Sequence, residues 1–215
     1  VSLSGNVTMS AAQADLFQGV ITKNSFTVSV TAQGDLSDLN LSDVDTLTLS
    51  AAATLSDETS EQPTAINAAT FAITADNTMS LVNVTISNYG SLSISDNQAL
   101  TLSADQAHGF AGNVTKGAGA TVSVTAQGDL SDLNLSDVDT LTLSAAATLS
   151  DETSEQPTAI NAATFAITAD NTMSLVNVTI SNYGSLSISD NQALTLSADQ
   201  AHGFAGNVTK GAGAT

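Results

Sequence analysis

Residues 84–102 read VTISNYGSLSISDNQALTL and contain three short runs in which apolar and polar residues alternate. Val84, Leu92 and Leu100 begin these runs at intervals of eight residues. Strict alternation over four or five residues predicts a half-buried β-strand in which every second side chain points inward. The segments between the runs are rich in Asn, Asp and Gly, which favour turns. Residues 84–102 therefore predict three consecutive strands joined by tight turns.

Three strands at this spacing form a coil of about 24 residues, if each coil lies on the one before it. We therefore predict an all-β fold, a parallel β-solenoid of three-strand coils. The predicted inward residues are apolar and recur 94 residues later: Val28, Val30, Leu39, Leu41, Leu47, Leu49, Phe71, Ile73, Met79, Leu81, Val84, Ile86, Leu92, Ile94, Leu100 and Leu102. The residues between them in the strands are mostly Thr and Ser, which keep β-propensity while facing water.

The same pattern is part of a much longer repeat, because residues 27–121 recur as residues 121–215 without a single difference. Residues 7–23 also align with residues 100–116 without a gap, but with several substitutions. We predict one continuous array over residues 1–215. It consists of the tail of a diverged unit (1–26), a first unit (27–120), an identical second unit (121–214) and, at Thr215, the start of a further unit.

An exact repeat bears on function before any motif is considered. A catalytic site is one constellation of unlike residues held in one cleft. A chain that repeats itself builds length or presents one surface several times. The repeat therefore favours a structural or multivalent binding role, and we expect no enzymatic activity.

Tandem immunoglobulin-like β-sandwiches are the alternative fold, because such domains have about 100 residues and turn signals every 8–12 residues. The strands of this chain are very short, and the chain has no Trp and few aromatic residues to fill a two-sheet core. No linker signal separates the two copies of the repeat. These features favour the solenoid.

Two local stretches depart from the strand pattern. Ser103 and Gln106 fit a capping box, which predicts a helical turn over Ala104–Phe110 in each unit. Phe110, and Phe17 in the diverged tail, are expected to cover the core. Residues 56–70 hold both Glu residues and the Pro of the unit, and they are expected to form a loop outside the stack.

The charge of the chain limits its partners. It has 21 acidic residues and 3 basic residues, with a formal net charge of −18. Nucleic-acid binding needs a basic surface and is not expected. No apolar run reaches the roughly 18 residues of a membrane span, so none is expected. The chain has no Cys, which excludes disulfides and thiolate metal sites.

The acidic residues include one recurring group that could bind Ca²⁺, since this ion prefers oxygen ligands. Its members lie in turns between predicted strands: Asp35, Asp38, Asp43 and Asp45, with Asp129, Asp132, Asp137 and Asp139 in the second copy. The EF-hand spacing is absent, and the alternative is that these Asp residues cap turns in water. No other cofactor is expected. His108 and His202 are interpreted as surface-turn residues, and no nucleophile with a base is found.

The outward Ser and Thr residues suggest a second kind of site. Thr46 and Thr48 flank Leu47 in the Thr-x-Thr arrangement that some ice-binding solenoids use. The alternation places hydroxyl residues on every face of the predicted solenoid. Weak binding of carbohydrate or ice, repeated along the array, would gain avidity.

The phrases LTLSADQAHGF, TVSVTAQGDLSDL and LSDVDTLTLS resemble the strand-repeat regions of very large bacterial surface proteins. These include repetitive adhesins and S-layer-like or biofilm-matrix proteins. The resemblance implies secretion, an extracellular or cell-surface location and, in many members, Ca²⁺. The chain lacks the glycine-rich nonapeptide of calcium β-rolls.

The repeat and the resemblance together predict an extracellular structural region that forms a rod or fibre, as a spacer or a self-assembling scaffold. Open strand edges are expected to pair end to end or with like chains. The alternative is a multivalent adhesive module that binds surface carbohydrate or ice through the outward Ser and Thr residues.

Overall fold

The computed structural model describes residues 1–54, 64–79, 84–148, 158–160, 162, 164–167, 171–172, 178–180 and 183–215. It confirms the predicted all-β fold, in which parallel strands stack as the turns of a β-solenoid. The chain divides into two compact units. The first comprises Val1–Thr101 and Asn113–Thr121, and the second comprises Leu102–Gly112 and Val122–Thr215.

The elements up to residue 116 are nine strands and two helices in the described residues. They are β1 (Val7–Ser10), α1 (Ala11–Phe17), β2 (Val28–Asp35), β3 (Asn40–Leu41), β4 (Thr46–Thr54), β5 (Thr64–Ile73), β6 (Asn77–Thr78), β7 (Val84–Ile94), β8 (Ala99–Leu102), α2 (Ala104–Phe110) and β9 (Val114–Lys116).

The elements that follow repeat this order. They are β10 (Thr121–Asp129), β11 (Asn134–Leu135), β12 (Thr140–Thr148), β13 (Thr158–Ile160), β14 (Thr164–Ile167), β15 (Asn171–Thr172), β16 (Val178–Ile180), β17 (Ser185–Ile188), β18 (Leu194–Thr195), α3 (Ala198–Gly203) and β19 (Val208–Lys210).

The core of the first unit is a column of apolar side chains along parallel strands. Val30 of β2 pairs with Leu47 of β4, Leu47 pairs with Phe71 of β5, and Phe71 pairs with Leu92 of β7. All four residues are fully buried. Each such side chain contributes about 1.5–3 kcal/mol relative to an exposed one. The pairing confirms the inward positions that alternation predicts for these four residues, whereas Ile86, also predicted to point inward in β7, is only partly buried.

Successive turns differ in length. Val30 and Leu47 are 17 residues apart, and Leu47 and Phe71 are 24 residues apart. The predicted coil length of about 24 residues is therefore correct for some turns and too long for others. Different lengths are tolerated because the strands stay in register while the connecting turns absorb the excess.

Each turn has three faces, as the eight-residue spacing predicts. In the third turn of the first unit, β5 supplies two faces and β6 the third, and β5 changes face at a register shift between Ile66 and Ala68. Gly90 of the neighbouring β7 packs against this corner. A Cβ at Gly90 would lie 1.9 Å from the Ala69 carbonyl oxygen, so this corner requires glycine.

The second unit has the same construction in its described residues. β10, β12, β14, β17 and β19 are successive parallel neighbours. Beside them, β12 pairs with β15 and β15 with β18, and β11, β13 and β16 form a separate three-stranded sheet. The equivalent core column contains Val124, Leu141, Phe165 and Leu186, which are all buried.

The predicted helical turn is confirmed. α2 spans Ala104–Phe110, and Ser103 and Gln106 form both hydrogen bonds of a capping box. The same box begins α1 at Ser10 and α3 at Ser197. The short helices form here because the capping box satisfies two backbone N–H groups that a helix start leaves unpaired.

The aromatic residues at the helix ends differ in how deeply they are buried. Phe110 and Phe204 are fully buried, as expected of residues that cover the core. Phe204 packs edge-on against Phe165 and Tyr183, with ring centroids 5.2 Å apart in both pairs. Burial, aided by the negative charge of Asp199, raises the pKa of Tyr183. The prediction is wrong for Phe17, which is 39 % exposed.

Two further predictions need correction. Leu39 is only partly buried, because it lies in the turn before β3, and Leu36 and Val44 fill the core on either side. Residues 56–70 are not one loop, because Thr64 begins β5. Residues 56–63 and the predicted inward residue Leu81 lie outside the described residues.

Candidate functional site

The predicted acidic group is divided among several separate turns. Asp35 is the last residue of β2, and it accepts hydrogen bonds from the Oγ and the backbone N–H of Ser37, at 2.6 and 3.0 Å. Asp129 makes the same two bonds with Ser131. These bonds favour the ionised carboxylate and lower the pKa of both Asp side chains, the Ser hydroxyl contributing most. Both residues therefore close the turn that they begin.

Asp43 and Asp45 connect different turns of the first unit. The Oδ2 of Asp43 accepts the Gly19 N–H at 2.6 Å, just beyond the end of α1. Asp45 accepts the Val28 N–H through Oδ2 at 2.7 Å and the Lys23 Nζ through Oδ1 at 3.0 Å. Charged acceptors form the stronger class of hydrogen bond. Each of these carboxylates therefore clamps one turn to another.

Both clamps recur in the second unit. Asp137 accepts the Gly112 N–H at 2.6 Å, and Asp139 accepts the Val122 N–H at 2.7 Å. The remaining pair, Asp38 and Asp132, has a positive φ of 66° in both copies. Asp tolerates this left-handed conformation better than most residues do, which explains its place in the tight turn.

These positions bear on the Ca²⁺ prediction. All eight predicted ligands are described, and within the described part of the chain no three His, Asp or Glu side chains come together as a metal-binding group. The carboxylate oxygens for which bonds are given above contact backbone N–H groups, Ser or Lys. Calcium binding stays a prediction to be tested by titration.

A further set of polar clamps was not predicted from the sequence. Asp15 Oδ1 accepts the Asn40 N–H at 2.9 Å, and His108 Nδ1 accepts the Asn134 N–H at 2.8 Å. The two acceptors occupy equivalent positions in the alignment. An imidazole that accepts through Nδ1 carries its proton on Nε2, so His108 serves here as a neutral acceptor. The signal in the sequence was that equivalent positions of the repeat carry Asp15 and His108, and both side chains can accept a hydrogen bond from a backbone N–H.

Three more clamps that were not predicted also join an Asp side chain to a backbone N–H of the next turn. Asp76 accepts the Ala99 N–H at 2.7 Å, and Asp96 accepts the Ala118 N–H at 2.8 Å. Asp190 repeats the second bond with Ala212 at 2.8 Å. In each case the partners are 22 or 23 residues apart, which is one turn of the solenoid. The sequence shows these Asp residues in turns but does not show which N–H they meet.

The outward hydroxyl side chains align along one face of the sheet in each unit. In the first unit they form two rows, here called the hydroxyl rows: Thr8, Ser29, Thr46, Thr70 and Ser91, and Ser10, Thr31, Thr48, Ala72, Ser93 and Thr115. In the second unit the rows are Ser123, Thr140, Thr164 and Ser185, and Thr125, Thr142, Ala166, Ser187 and Thr209.

Hydroxyl residues also occur outside these rows, for example at Thr101 of β8, and the prediction that they spread over every face stays a prediction. Neighbours within a row are about 4.8 Å apart, and the two rows are about 6.7 Å apart, as strand geometry sets both distances. Each longer row is interrupted by one alanine, Ala72 or Ala166. The rows are nevertheless a regular polar array that single-strand patterns do not reveal.

No helix in the described residues is long and apolar enough to cross a membrane. Comparisons with protein-family models, with curated proteins and with solved structures found no match to this chain.

Proposed function

We propose that this chain is a structural repeat region that acts as a spacer or self-assembling scaffold in an extracellular or cell-surface assembly. The observation that carries the proposal is the repeated use of acidic residues as clamps between turns. Asp43 and Asp137, Asp45 and Asp139, and Asp96 and Asp190 make matching backbone contacts in both copies. Carboxylates that join one turn to another stabilise a long and rigid stack of turns.

The energetics support the same role. In a solenoid, stability is approximately the sum of the stability of each turn and of its contacts with its neighbours. A buried apolar column and a set of polar clamps extend this sum by one turn at a time. Such a chain can grow in length without a new core design, which suits a rod, a fibre or a matrix component.

The charge suits an exposed location. A net charge of −18 keeps separate chains soluble, because like-charged surfaces repel one another. We propose that like chains associate end to end, through the open edges of their stacked strands. Association is expected to strengthen when salt screens the charge.

Electron microscopy and sedimentation velocity of the whole chain test this function. We expect filaments of even width, with the filament fraction rising with chain concentration and with salt. Single chains at every concentration and salt level would remove the self-assembling role and leave only the spacer role.

The hydroxyl rows favour a second candidate function, a multivalent adhesive module that binds carbohydrate or ice. They provide a regular array of donors and acceptors on an exposed face, and repetition of the array would add avidity. This function and the scaffold role use different parts of the molecule, so each can be tested alone.

A glycan array and an ice-recrystallisation assay test the second candidate. Thr31→Lys with Thr48→Lys places two long side chains in one hydroxyl row, while Thr101→Lys on β8 is a matched control outside the rows. We expect the double variant to lose at least tenfold in apparent affinity or ice activity, and the control to keep it. Wild-type chain without either activity would rule the candidate out.

A further inference from the structure

We propose that each unit has a groove that binds a neutral saccharide, next to β2 in the first unit and next to β10 in the second. The inference rests on the second candidate function proposed above, and it places carbohydrate binding in this groove instead of along the hydroxyl rows. It does not depend on the scaffold role. It follows from the residues that line the two grooves at equivalent positions of the repeat.

The groove recurs with nearly the same lining. Its volume is about 480 Å³ in the first unit and about 430 Å³ in the second, within the range of about 300–1,000 Å³ that is typical of ligand sites. Nine equivalent positions line both grooves, and one of them differs, with Ala12 in the first unit and Asp105 in the second. Each groove lies within one compact unit. The repeat therefore presents the same groove twice.

The groove of the first unit lies at an irregularity in the strand pairing. Ala32 of β2 pairs with Leu49 of β4, and Gly34 pairs with Ala53. Gln33 alone therefore stands against residues 50–52 of β4. The φ of Gly34 is 75°, a conformation that glycine adopts at little cost. Bulges re-aim side chains and are common next to active sites, and the same register shift recurs in the second unit.

The groove contains polar groups with hydrogen-bonding capacity to spare. Thr31 and Gln33 are exposed, and their side chains have no hydrogen-bond partner among the described residues. The carboxylate of Asp35 accepts both Ser37 bonds through Oδ1, so Oδ2 is left as an acceptor. An amide and a hydroxyl each donate and accept hydrogen bonds, whereas a carboxylate only accepts. The groove therefore offers donors and acceptors side by side.

Apolar side chains form the other part of the lining. Leu36 is buried, but Leu39 and its counterpart Leu133 are only partly buried, and both line the groove of their unit. A pyranose ring has a rim of hydroxyl groups and a face of C–H groups. Covering apolar surface is favourable, so the exposed part of each Leu can pack against the C–H face of the ring.

The charge of the groove selects among polar ligands. Hydrogen bonds from the neighbouring Ser hydroxyls lower the pKa of Asp35 and Asp129, so both carboxylates are ionised at neutral pH and repel anions. The second groove adds the carboxylate of Asp105. A simple ammonium ion would pair with a carboxylate but would leave the amide and hydroxyl donors without an acceptor. The hydroxyl groups of a neutral saccharide donate and accept, so they match all of these side chains.

Isothermal titration calorimetry of the whole chain tests the groove. The neutral probes are maltotriose, cellotriose and mannotriose, with trigalacturonic acid as the acidic comparison and a glucosamine trimer as the cationic one. We expect at least one neutral trisaccharide to bind at two sites per chain, and the acidic trisaccharide to bind at least tenfold more weakly. Binding of the cationic or the acidic probe alone would overturn the proposal.

Gln33→Ala with Gln127→Ala removes the amide from both grooves. Both side chains are exposed and have no hydrogen-bond partner among the described residues, so the unfolding midpoint should stay that of wild type. We expect the double variant to lose at least tenfold in affinity for the neutral trisaccharide. Gln33→Ala alone should leave one site per chain with the wild-type affinity.

A matched control changes the hydroxyl rows away from the grooves. Thr31 lines the groove and belongs to a row, so the control uses exposed row residues on other strands. They are changed together to Gln, which lengthens the side chains without altering charge: Ser93, Thr115, Ser187 and Thr209. We expect this variant to keep both sites at the wild-type affinity.

Failure of the groove and failure of the candidate function give different results. If the double Gln variant still binds the trisaccharide while the row variant does not, the groove is overturned and carbohydrate binding along the rows is kept. Binding that survives in both variants also overturns the groove. If no neutral trisaccharide binds the wild-type chain, the groove and the carbohydrate function are both overturned, and the scaffold role is unaffected.

Discussion

Residues 7–23 and their counterpart, residues 100–116, show which contacts survive divergence of the repeat. Both segments keep the capping box, the clamp from the helix end to an Asp, and the acceptor for a later Asn N–H. They differ in burial, because Gln13 and Phe17 are exposed whereas Gln106 and Phe110 are fully buried.

The difference separates two kinds of interaction. A polar clamp needs one acceptor and one N–H, so it persists when neighbouring residues change. Burial of an aromatic ring needs residues from other turns, as Phe204 shows by contacting Phe165 and Tyr183.

The largest expected effect concerns the aromatic residues. Phe110→Ala should lower the free energy of unfolding by about 3–5 kcal/mol, because it leaves a cavity in a closed core. Phe17→Ala should cost less than about 1 kcal/mol, since the ring is already partly in water. Urea unfolding followed by circular dichroism measures both, and equal losses would show that the two positions do not differ as described.

The residue before each ring gives the next test. A Cβ at Gly203 would lie 2.3 Å from the Tyr183 ring, while Leu16 at the equivalent position is mostly exposed. Gly203→Leu should therefore destabilise the chain by about 1–3 kcal/mol through overpacking. The reciprocal change, Leu16→Gly, should change the unfolding midpoint little. If Gly203→Leu left the free energy of unfolding unchanged, the Tyr183 ring would be less tightly held than the structure indicates.

The shared acceptor position sharpens the comparison from the polar side. His108→Leu removes the acceptor of the Asn134 N–H and should cost about 0.5–1.5 kcal/mol. His108→Asp copies the residue found at position 15 and should retain most of the wild-type stability. Thermal unfolding at neutral pH distinguishes the two variants, and an Asp variant as unstable as the Leu variant would contradict the equivalence of Asp15 and His108.

The smallest expected effect lies in turns that are identical in both copies. The Ser37 and Ser131 hydrogen bonds lower the pKa of Asp35 and Asp129 from 3.8 in the folded state. Their stabilising contribution is therefore present above pH 3.8 and is lost as the pH falls through the folded-state pKa. Ser37→Ala with Ser131→Ala should make the acid loss of stability shallower between about pH 5 and pH 2. An unchanged pH profile would show that the Ser bonds do not set these pKa values.

Much of the fold could be predicted from the sequence, because alternation and turn residues are local signals. The strands around Leu47 and Leu92 followed from the spacing of apolar residues, and the helix over Ala104–Phe110 followed from its capping box. Leu39 was placed inward wrongly because a two-residue strand carries too little alternation to fix the face. The bend of β5 between two faces was missed because a register shift depends on the partner strand.

Less of the candidate site could be predicted. The sequence located the Asp residues in turns, but their partners lie one turn away, and turns of 17 to 24 residues have no fixed offset. The outward Ser and Thr residues were predicted, but their alignment into rows was not, since Thr31 and Thr48 align only once the register is known. The proposed function depends on such contacts between turns, and local patterns do not specify them.

The central claim is that assembly continues the turn-by-turn stacking found within each unit. Fibre diffraction from aligned wild-type filaments tests it most directly. Continued stacking predicts a meridional reflection at about 4.8 Å, because the strands would lie across the fibre axis. Ordered filaments that lack this reflection, or that place it on the equator, would contradict the claim.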